Sequence, residues 1–596
     1  MESNPAISKR RRVISLTVAA LVLLIAAVVG WIGIRGLIAK QELQAINPLV
    51  TKIEASVGSG DLGAARTAAR QLEAHARLAA GLTDDPLWRA AEVVPLAGAN
   101  LAAVRQLAAA TEAVSSRVVT PLIAVSASVD LEKFKPVGGR LDLAPLVQAA
   151  PAVLRAQAAL SDVDRSVSAI RTGDTLGVVT DAVTRVRNAI NRVSPTITAL
   201  ANSARVLPGM LGADGPRNIL LLTQNPAELR ATGGLVGSLT LIHTDGGAFS
   251  IVAQASTTDF PPLASPVMPL PAATEGLYGS VVGRYVQDVG ATPYFPVTAK
   301  LAAMMWTGKF GGTIDGVVAI DPVTIQYILK ATGPVKVAGG RQLYAGNVVR
   351  ILLSDSYRDY SAPRAQDAFF ASTASAVFSK VASGSADATR LVRALGQAGA
   401  ERRVLIWSSH PSEQAVFAAT TLGGGLPASS PQVAGIGVYF NDATGGKMDY
   451  YLKSTVSVAT GVCRADRIPT SRVTVSLTNG APADAGTSLP AYVTGSGMFG
   501  VPPGTVRTRV AVYGPKDGLL IATSSGKALY PTRAATDTGR PVSLFTVDLK
   551  PGASRTIVVD LLDVAQKAPH AQLTVTPSLG GTVSQNVALA CDSTVK

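Results

Sequence analysis

Between Val13 and Ile34 run 22 residues without a charge. As an α-helix that stretch rises roughly 33 Å, enough to cross the hydrocarbon core of a bilayer. Lys9, Arg10, Arg11 and Arg12 stand directly before it, and only Arg35 and Lys40 soon after. The positive-inside bias therefore predicts a cytoplasmic tail over 1–12, a transmembrane helix over 13–34, and everything beyond it outside the cytoplasm. The run is longer than the roughly 7–15 apolar residues of a cleaved signal peptide. It reads as an uncleaved, single-pass anchor.

Cysteine usage fits that placement. The chain has two, Cys463 and Cys591, both in its last third. In an oxidising compartment such a pair predicts a disulfide; a pair of buried free thiols is the other arrangement.

From 41 to 210 the chain is rich in Ala, Leu, Val and Arg. Leu62, Ala65, Ala69, Leu72 and Ala76 form one apolar stripe at helical spacing, with Arg66, Arg70, Glu73 and Arg77 on the wetter side. A membrane-proximal helical region with a small-residue core follows. Its breaks are expected at Asp84-Asp85-Pro86, at Pro121, near Pro136–Gly139 and at Thr172-Gly173-Asp174.

Between 211 and 425 strand and helix patterns alternate, which predicts an α/β domain. Ile219–Leu222 is a compact apolar run, read as a buried strand. It opens into a loop carrying Gln224, Asn225, Glu228, Arg230 and Thr232, closed by Gly233-Gly234. Asp245-Gly246-Gly247 is hairpin chemistry. Val317–Ile320, Pro322 and Gly333-Pro334 outline a strand–helix–strand unit. A polar interruption in later helical sequence carries Asp355, Arg358, Asp359, Arg364 and Gln366. From 433 to 596 short β-rich runs punctuated by Gly, Pro, Asn and Asp predict a β-sandwich.

Four histidines and two cysteines, widely spread, assemble no zinc or haem motif. The phosphate loop is absent: Gly445-Gly446-Lys447-Met448 lacks its first glycine and its terminal hydroxyl. Nucleic acid is a poor partner for the net charge of +14 when most of the chain lies outside the cytoplasm; membrane lipid head groups and phosphate-bearing wall polymers are better counter-charges. The remaining chemistry lies in arginines and carboxylates. Arg230, Arg358 and Arg364 are the candidates for holding a pyrophosphate, with Asn225, Glu228 and Gln366 as further contacts. Asp259 and Asp359 are the candidates for a Mg²⁺ ion bridging phosphate oxygens. A structural ion-pair network is the competing use of the same residues. No residue is singled out as catalytic.

The phrases NPAELRATGG, IDGVVAIDP and LKATGPVKV resemble a family of bacterial single-pass envelope proteins whose central domain has no assigned function. More distantly, the central region is similar to the LytR-CpsA-Psr family, which implies transfer of polyprenyl-pyrophosphate-linked glycopolymers onto peptidoglycan. Three departures stand against a direct transfer of that chemistry. Arg230-Ala231-Thr232-Gly233 lacks the aspartate of the family's R-S-D-T, Thr257-Thr258-Asp259-Phe260 lacks the arginine of its P-R-D-T, and the element containing Asp359, Arg364 and Gln366 is out of register. Two expectations follow: a glycopolymer transferase, or a non-catalytic envelope scaffold or binding module on a degenerate version of that fold.

Overall fold

The computed structural model describes residues 5–59, 61–128, 136–384, 386–566 and 570–589. They form two compact units: Met1–Lys133 with Leu143–Pro208, and Phe134–Asp142 with Gly209–Lys596.

The first unit is helical. Helix α1 (Pro5–Ser59) contains the apolar run and continues well past it. Its stretch from Arg12 to Val57 is long and apolar enough to cross a membrane. Helix α2 (Leu62–Thr83) starts at Asp61, whose carboxylate accepts the Ala64 N–H at 2.9 Å, and returns along α1. Its predicted stripe is the packed face: Ala65, Ala69, Leu72 and Ala76 are buried, the last two against Ile46 of α1. Asp84–Pro86 does break the chain before α3 (Pro86–Ala91), and α4 (Gly98–Val114) follows. Pro121, by contrast, does not end a helix. Proline has no N–H for the carbonyl one turn back, and the chain stays helical by widening into a π turn, Ser115–Val119, in which the Thr120 N–H reaches Ser115 O. Helix α5 (Thr120–Ser128) continues directly from it. Helices α6 (Ala144–Ser168) and α7 (Gly177–Met210) complete the unit, around a core of Ala103, Ala110, Ala156, Leu160, Val163, Val183 and Ile190.

The second unit holds a five-stranded mixed sheet and two larger β-sheets. Strands β1 (Arg217–Asn225), β2 (Leu235–Asp245) and β3 (Ala248–Ser256) form an antiparallel meander; β4 (Gly316–Ile320) runs parallel to β1 on its other side. Gly246 and Gly247 have φ of 51° and 85° at the β2–β3 turn, the pair of positive values that a tight hairpin needs. After β4, Asp321 caps the helix Pro322–Thr332 by accepting the Thr324 N–H at 2.8 Å. The next strand departs from the expected strand–helix–strand unit: β5 (Val335–Lys336) pairs with β6 (Gln342–Leu343) in a separate two-residue hairpin, and β7 (Leu405–Ser408) joins β4 antiparallel instead.

The β-rich part forms a five-stranded sheet from β8 (Val433–Asp442), β11 (Val506–Tyr513), β14 (Arg533–Asp537), β15 (Arg540–Leu549) and β17 (His570–Val575). A six-stranded sheet takes β9 (Leu452–Gly461), β10 (Thr470–Asn479), β12 (Leu519–Ser525), β13 (Ala528–Leu529), β16 (Ser554–Leu562) and β18 (Gly580–Ala588). Phe440, Val512 and Phe545 of the first sheet share one apolar core with Val456, Val475 and Val559 of the second. The mixed sheet is not separate from them: Tyr439 and Tyr513 pack into its core, and Leu229 and Tyr357 pack into theirs. Cys463 is disulfide-bonded; Cys591 lies outside the described residues.

Candidate functional site

The β1–β2 loop leaves the sheet at the carboxyl ends of β1 and β4, the edge at which α/β sheets commonly bind ligands. Here that edge is filled by the chain itself. Gln224, Glu228, Arg230 and Thr232 are all buried. The loop's backbone is tied to the β-rich sheets: the Leu229 N–H donates to Asp449 Oδ2 at 2.8 Å and the Ala231 N–H to Asn441 Oδ1 at 3.1 Å. Thr576 Oγ1 donates to Ala231 O at 3.0 Å, and the Asp442 N–H donates to Leu229 O at 2.8 Å. At the end of β4, Arg403 binds Asp321 at 2.6 Å and reaches Ser578 O at 2.9 Å. The two closing glycines are required here, Gly233 by its φ of 139° and Gly234 by its packing on backbone. A Cβ on Gly233 would lie 2.6 Å from Gln224 Oε1, and one on Gly234 would lie 2.4 Å from the Asn225 carbonyl carbon.

Arg230 is fully engaged within this seam. Its Nε donates to Asp288 Oδ1 at 2.9 Å, its Nη2 to Glu228 Oε1 at 3.0 Å and its Nη1 to Leu229 O at 2.8 Å. Glu228 is also bound by the buried Lys447. Burial disfavours the charge on Glu228, yet the attraction of Lys447 and Arg230 overrides it and holds the carboxyl below its usual range. Burial likewise opposes both cations, and the carboxylates beside them, Glu228 first, keep Arg230 and Lys447 charged. The surplus acids respond in the opposite sense. Burial and then the Glu228 charge push Asp442 up to about 6, while burial and then Asp442 push Asp449 well above the carboxylate range.

The other candidate residues stand elsewhere. Asn225 binds the Tyr357 hydroxyl. Arg358 lies on the short helix Ser356–Asp359 and donates to the buried Asp355 at 2.5 Å. Asp355 also binds Arg350 and, at 3.6 Å, Arg341, which in turn donates to Asp359 at 2.6 Å. A π turn over Ile351–Asp355 brings residues five apart, Arg350 and Asp355, onto one face. Three guanidinium groups thus surround one buried carboxylate, and the side chains of Arg350 and Arg358 are 61% and 58% exposed. Arg364 is exposed on the first turn of the helix Pro363–Ala382, and Gln366 donates to Tyr360 O at 2.7 Å. Asp259 caps its own turn by accepting the Ser256 N–H at 2.8 Å. Asp259 and Asp359 are therefore engaged on separate elements, and the described residues contain no group of three His, Cys, Asp or Glu placed to hold a metal ion. The structure does not bring the two candidate Mg²⁺ ligands into such a group.

Two surface depressions, of about 470 and 490 Å³, are lined around Tyr530–Arg533 and around Glu275–Gly279 with Arg509; neither includes Arg230, Arg358 or Arg364. Reasoning from sequence missed Asp288, Asp442, Lys447 and Asp449. The one signal was Gly445-Gly446 before Lys447: a Cβ on Gly446 would lie 2.4 Å from Val493 O, so the glycines serve close packing that buries the lysine.

Comparison with curated proteins finds no match. Residues 214–357, from the start of the mixed sheet to Tyr357, match the family described as "Protein of unknown function (DUF4012)". The matched segment contains the buried loop and one half of its ion network.

Proposed function

We propose that this is a single-pass envelope protein with a cytoplasmic N-terminus, whose folded units act outside the cytoplasm as a non-catalytic binding module or scaffold. In this reading the mixed sheet is a degenerate relative of the LytR-CpsA-Psr domain, and the two facing sheets are a β-sandwich docked across its ligand edge. The observation that carries it is the state of Arg230. A phosphate-holding arginine needs free N–H groups facing an open cleft, whereas here every guanidinium nitrogen has a protein partner and the loop is buried under the β-rich sheets.

The binding surface in this proposal is the Arg341–Arg350–Arg358 cluster. Its three positive charges face two carboxylates, and two of its side chains reach solvent. Its partner is a phosphate-bearing glycopolymer of the envelope, held as a polyanion with no bond made or broken. The test is titration of the full chain in lipid nanodiscs with polyphosphate as the probe. Binding that weakens with salt, and falls by about tenfold (~1.4 kcal/mol) in the Arg350→Glu/Arg358→Glu variant but not in Arg364→Ala, supports the module. Unchanged binding in the double variant removes the surface. Transfer of a lipid-linked polymer onto peptidoglycan by the purified protein restores the transferase. Orientation is tested separately by labelling Val137→Cys, an 82% exposed position, in intact cells. Labelling only after permeabilisation reverses the topology.

A further inference from the structure

The bundle of the first unit has a definite lower end. Helix α2 runs back along α1, and its last turn meets α1 just beyond the apolar run: Arg35 Nε donates to Leu82 O at 2.9 Å, and its guanidinium lies 3.6 Å from Asp85. Trp88 of α3 packs over Gly36, where an added Cβ would lie 3.5 Å from the indole ring. Helix α4 then climbs away, since the α5 that continues it places Ile123 on Ala65 and Ala69 at the far end of α2. The connection from Asp84 to Ala97 therefore lies at the level where α1 leaves the bilayer. The α6–α7 turn lies at the same level, because the Leu176 N–H donates to Asn100 Oδ1 at 2.8 Å beside the start of α4.

Both of these turns present bare apolar side chains. Leu96 is 96% exposed and Val93 85%, beside Val94 and Leu87; across the end, Val178 and Leu176 are 71% and 66% exposed. Leu96 also has φ of 67°, an unfavourable conformation for a leucine, which the tight turn imposes: Gly98 sits so close to Glu92 O that a Cβ there would lie 2.0 Å away. The acids of the Asp84–Ala97 connection are paired, with Asp84 bound to Arg89, Asp85 to Arg35 and Glu92 to Arg105, while the α6–α7 turn also carries the exposed Arg171 and Asp174 at its head-group side. A water-facing loop has no reason to hold Val-Val-Pro-Leu in this shape. The apolar surface of α1 also continues toward it, through Ile34 and Leu37, at 61% and 64% exposure.

We infer that the Val93–Leu96 turn and the Leu176–Val178 turn insert into the leaflet from which α1 emerges, so that the helical unit is seated on the bilayer at three points. Shallow insertion of such side chains reaches about 5–10 Å, to the boundary of head groups and acyl chains. The inference rests on α1 crossing the membrane, and the experiment separates the two. Single cysteines at Leu24, Leu96, Leu176 and Val147 are introduced into the full chain with its native cysteines left oxidised. They are labelled with an environment-sensitive fluorophore and reconstituted in phosphatidylcholine/phosphatidylglycerol vesicles with or without doxyl-labelled lipid. Val147 is the aqueous control, on the first turn of α6 and roughly 30 Å along that helix from its lower end. Quenching at Leu96 and Leu176 several-fold above that at Val147 is the expected result. Quenching at Leu24 alone overturns the seating while leaving the anchor in place. An unquenched Leu24 overturns both.

Discussion

Replacing Arg230 by methionine tests whether the buried loop is a clasp or a site. The change removes donors to Glu228, Asp288 and Leu229 O, and it leaves Asp288 without its cation while Glu228 keeps only Lys447. Breaking a buried ion pair from one side costs about 3–5 kcal/mol, because the remaining charge stays desolvated. An exposed arginine is worth only about 0–1 kcal/mol. The second unit has about 400 residues, so its unfolding entropy is about 0.8 kcal/mol/K and the expected drop in its melting midpoint is about 4–6 °C. Calorimetry of the full chain in nanodiscs measures this, with Arg364→Met, on the exposed face, expected within about 1 °C of the parent. Adding Asp288→Leu should recover part of the loss, since an apolar pair can replace a buried ionic one. If Arg230→Met melts with the parent, the guanidinium is not committed to the fold and the argument against a ligand site collapses.

Acid should stabilise the second unit over a limited range. Asp442 and Asp563 are both pushed up to about 6, the latter chiefly by burial. Between about pH 4 and 6 the folded chain therefore holds protons that the unfolded chain has lost, and stability falls as pH rises through that window. At roughly 2 pH units each, the effect is on the order of 3 kcal/mol per group. A melting midpoint higher at pH 5 than at pH 7.5 is expected; a flat or opposite trend refutes the assignment. Gly234→Ala drives a Cβ to 2.4 Å from backbone of Asn225 and should cost about 3 kcal/mol or more. Gly308→Ala, with nothing within 4 Å in the helix Phe295–Phe310, should be neutral or stabilising by up to about 1 kcal/mol. Equal melting of these two variants would show that the loop can shift to make room.

Much of this architecture is local and so can be read from residue order. The long apolar helix follows from an uncharged run, the buried face of α2 from the spacing of Ala65, Ala69, Leu72 and Ala76, and the β2–β3 turn from Asp245-Gly246-Gly247. Helix Pro322–Thr332 needed only its aspartate cap, its first proline and its terminal glycine. What the polar loop does was not local. Asn225, Glu228 and Arg230 have the same composition in a binding loop as in a buried clasp, and the difference lies in Asp288, Asn441, Lys447, Asp449 and Thr576, as far as about 350 residues away in the chain. A charge left in water can meet a ligand, whereas the same charge under a second sheet must be matched by the fold. Pro121 makes the point on a smaller scale: its missing N–H is a local fact, but the helix widens into a π turn instead of stopping, with Val118 and Ile123 buried on either side, and that burial is tertiary.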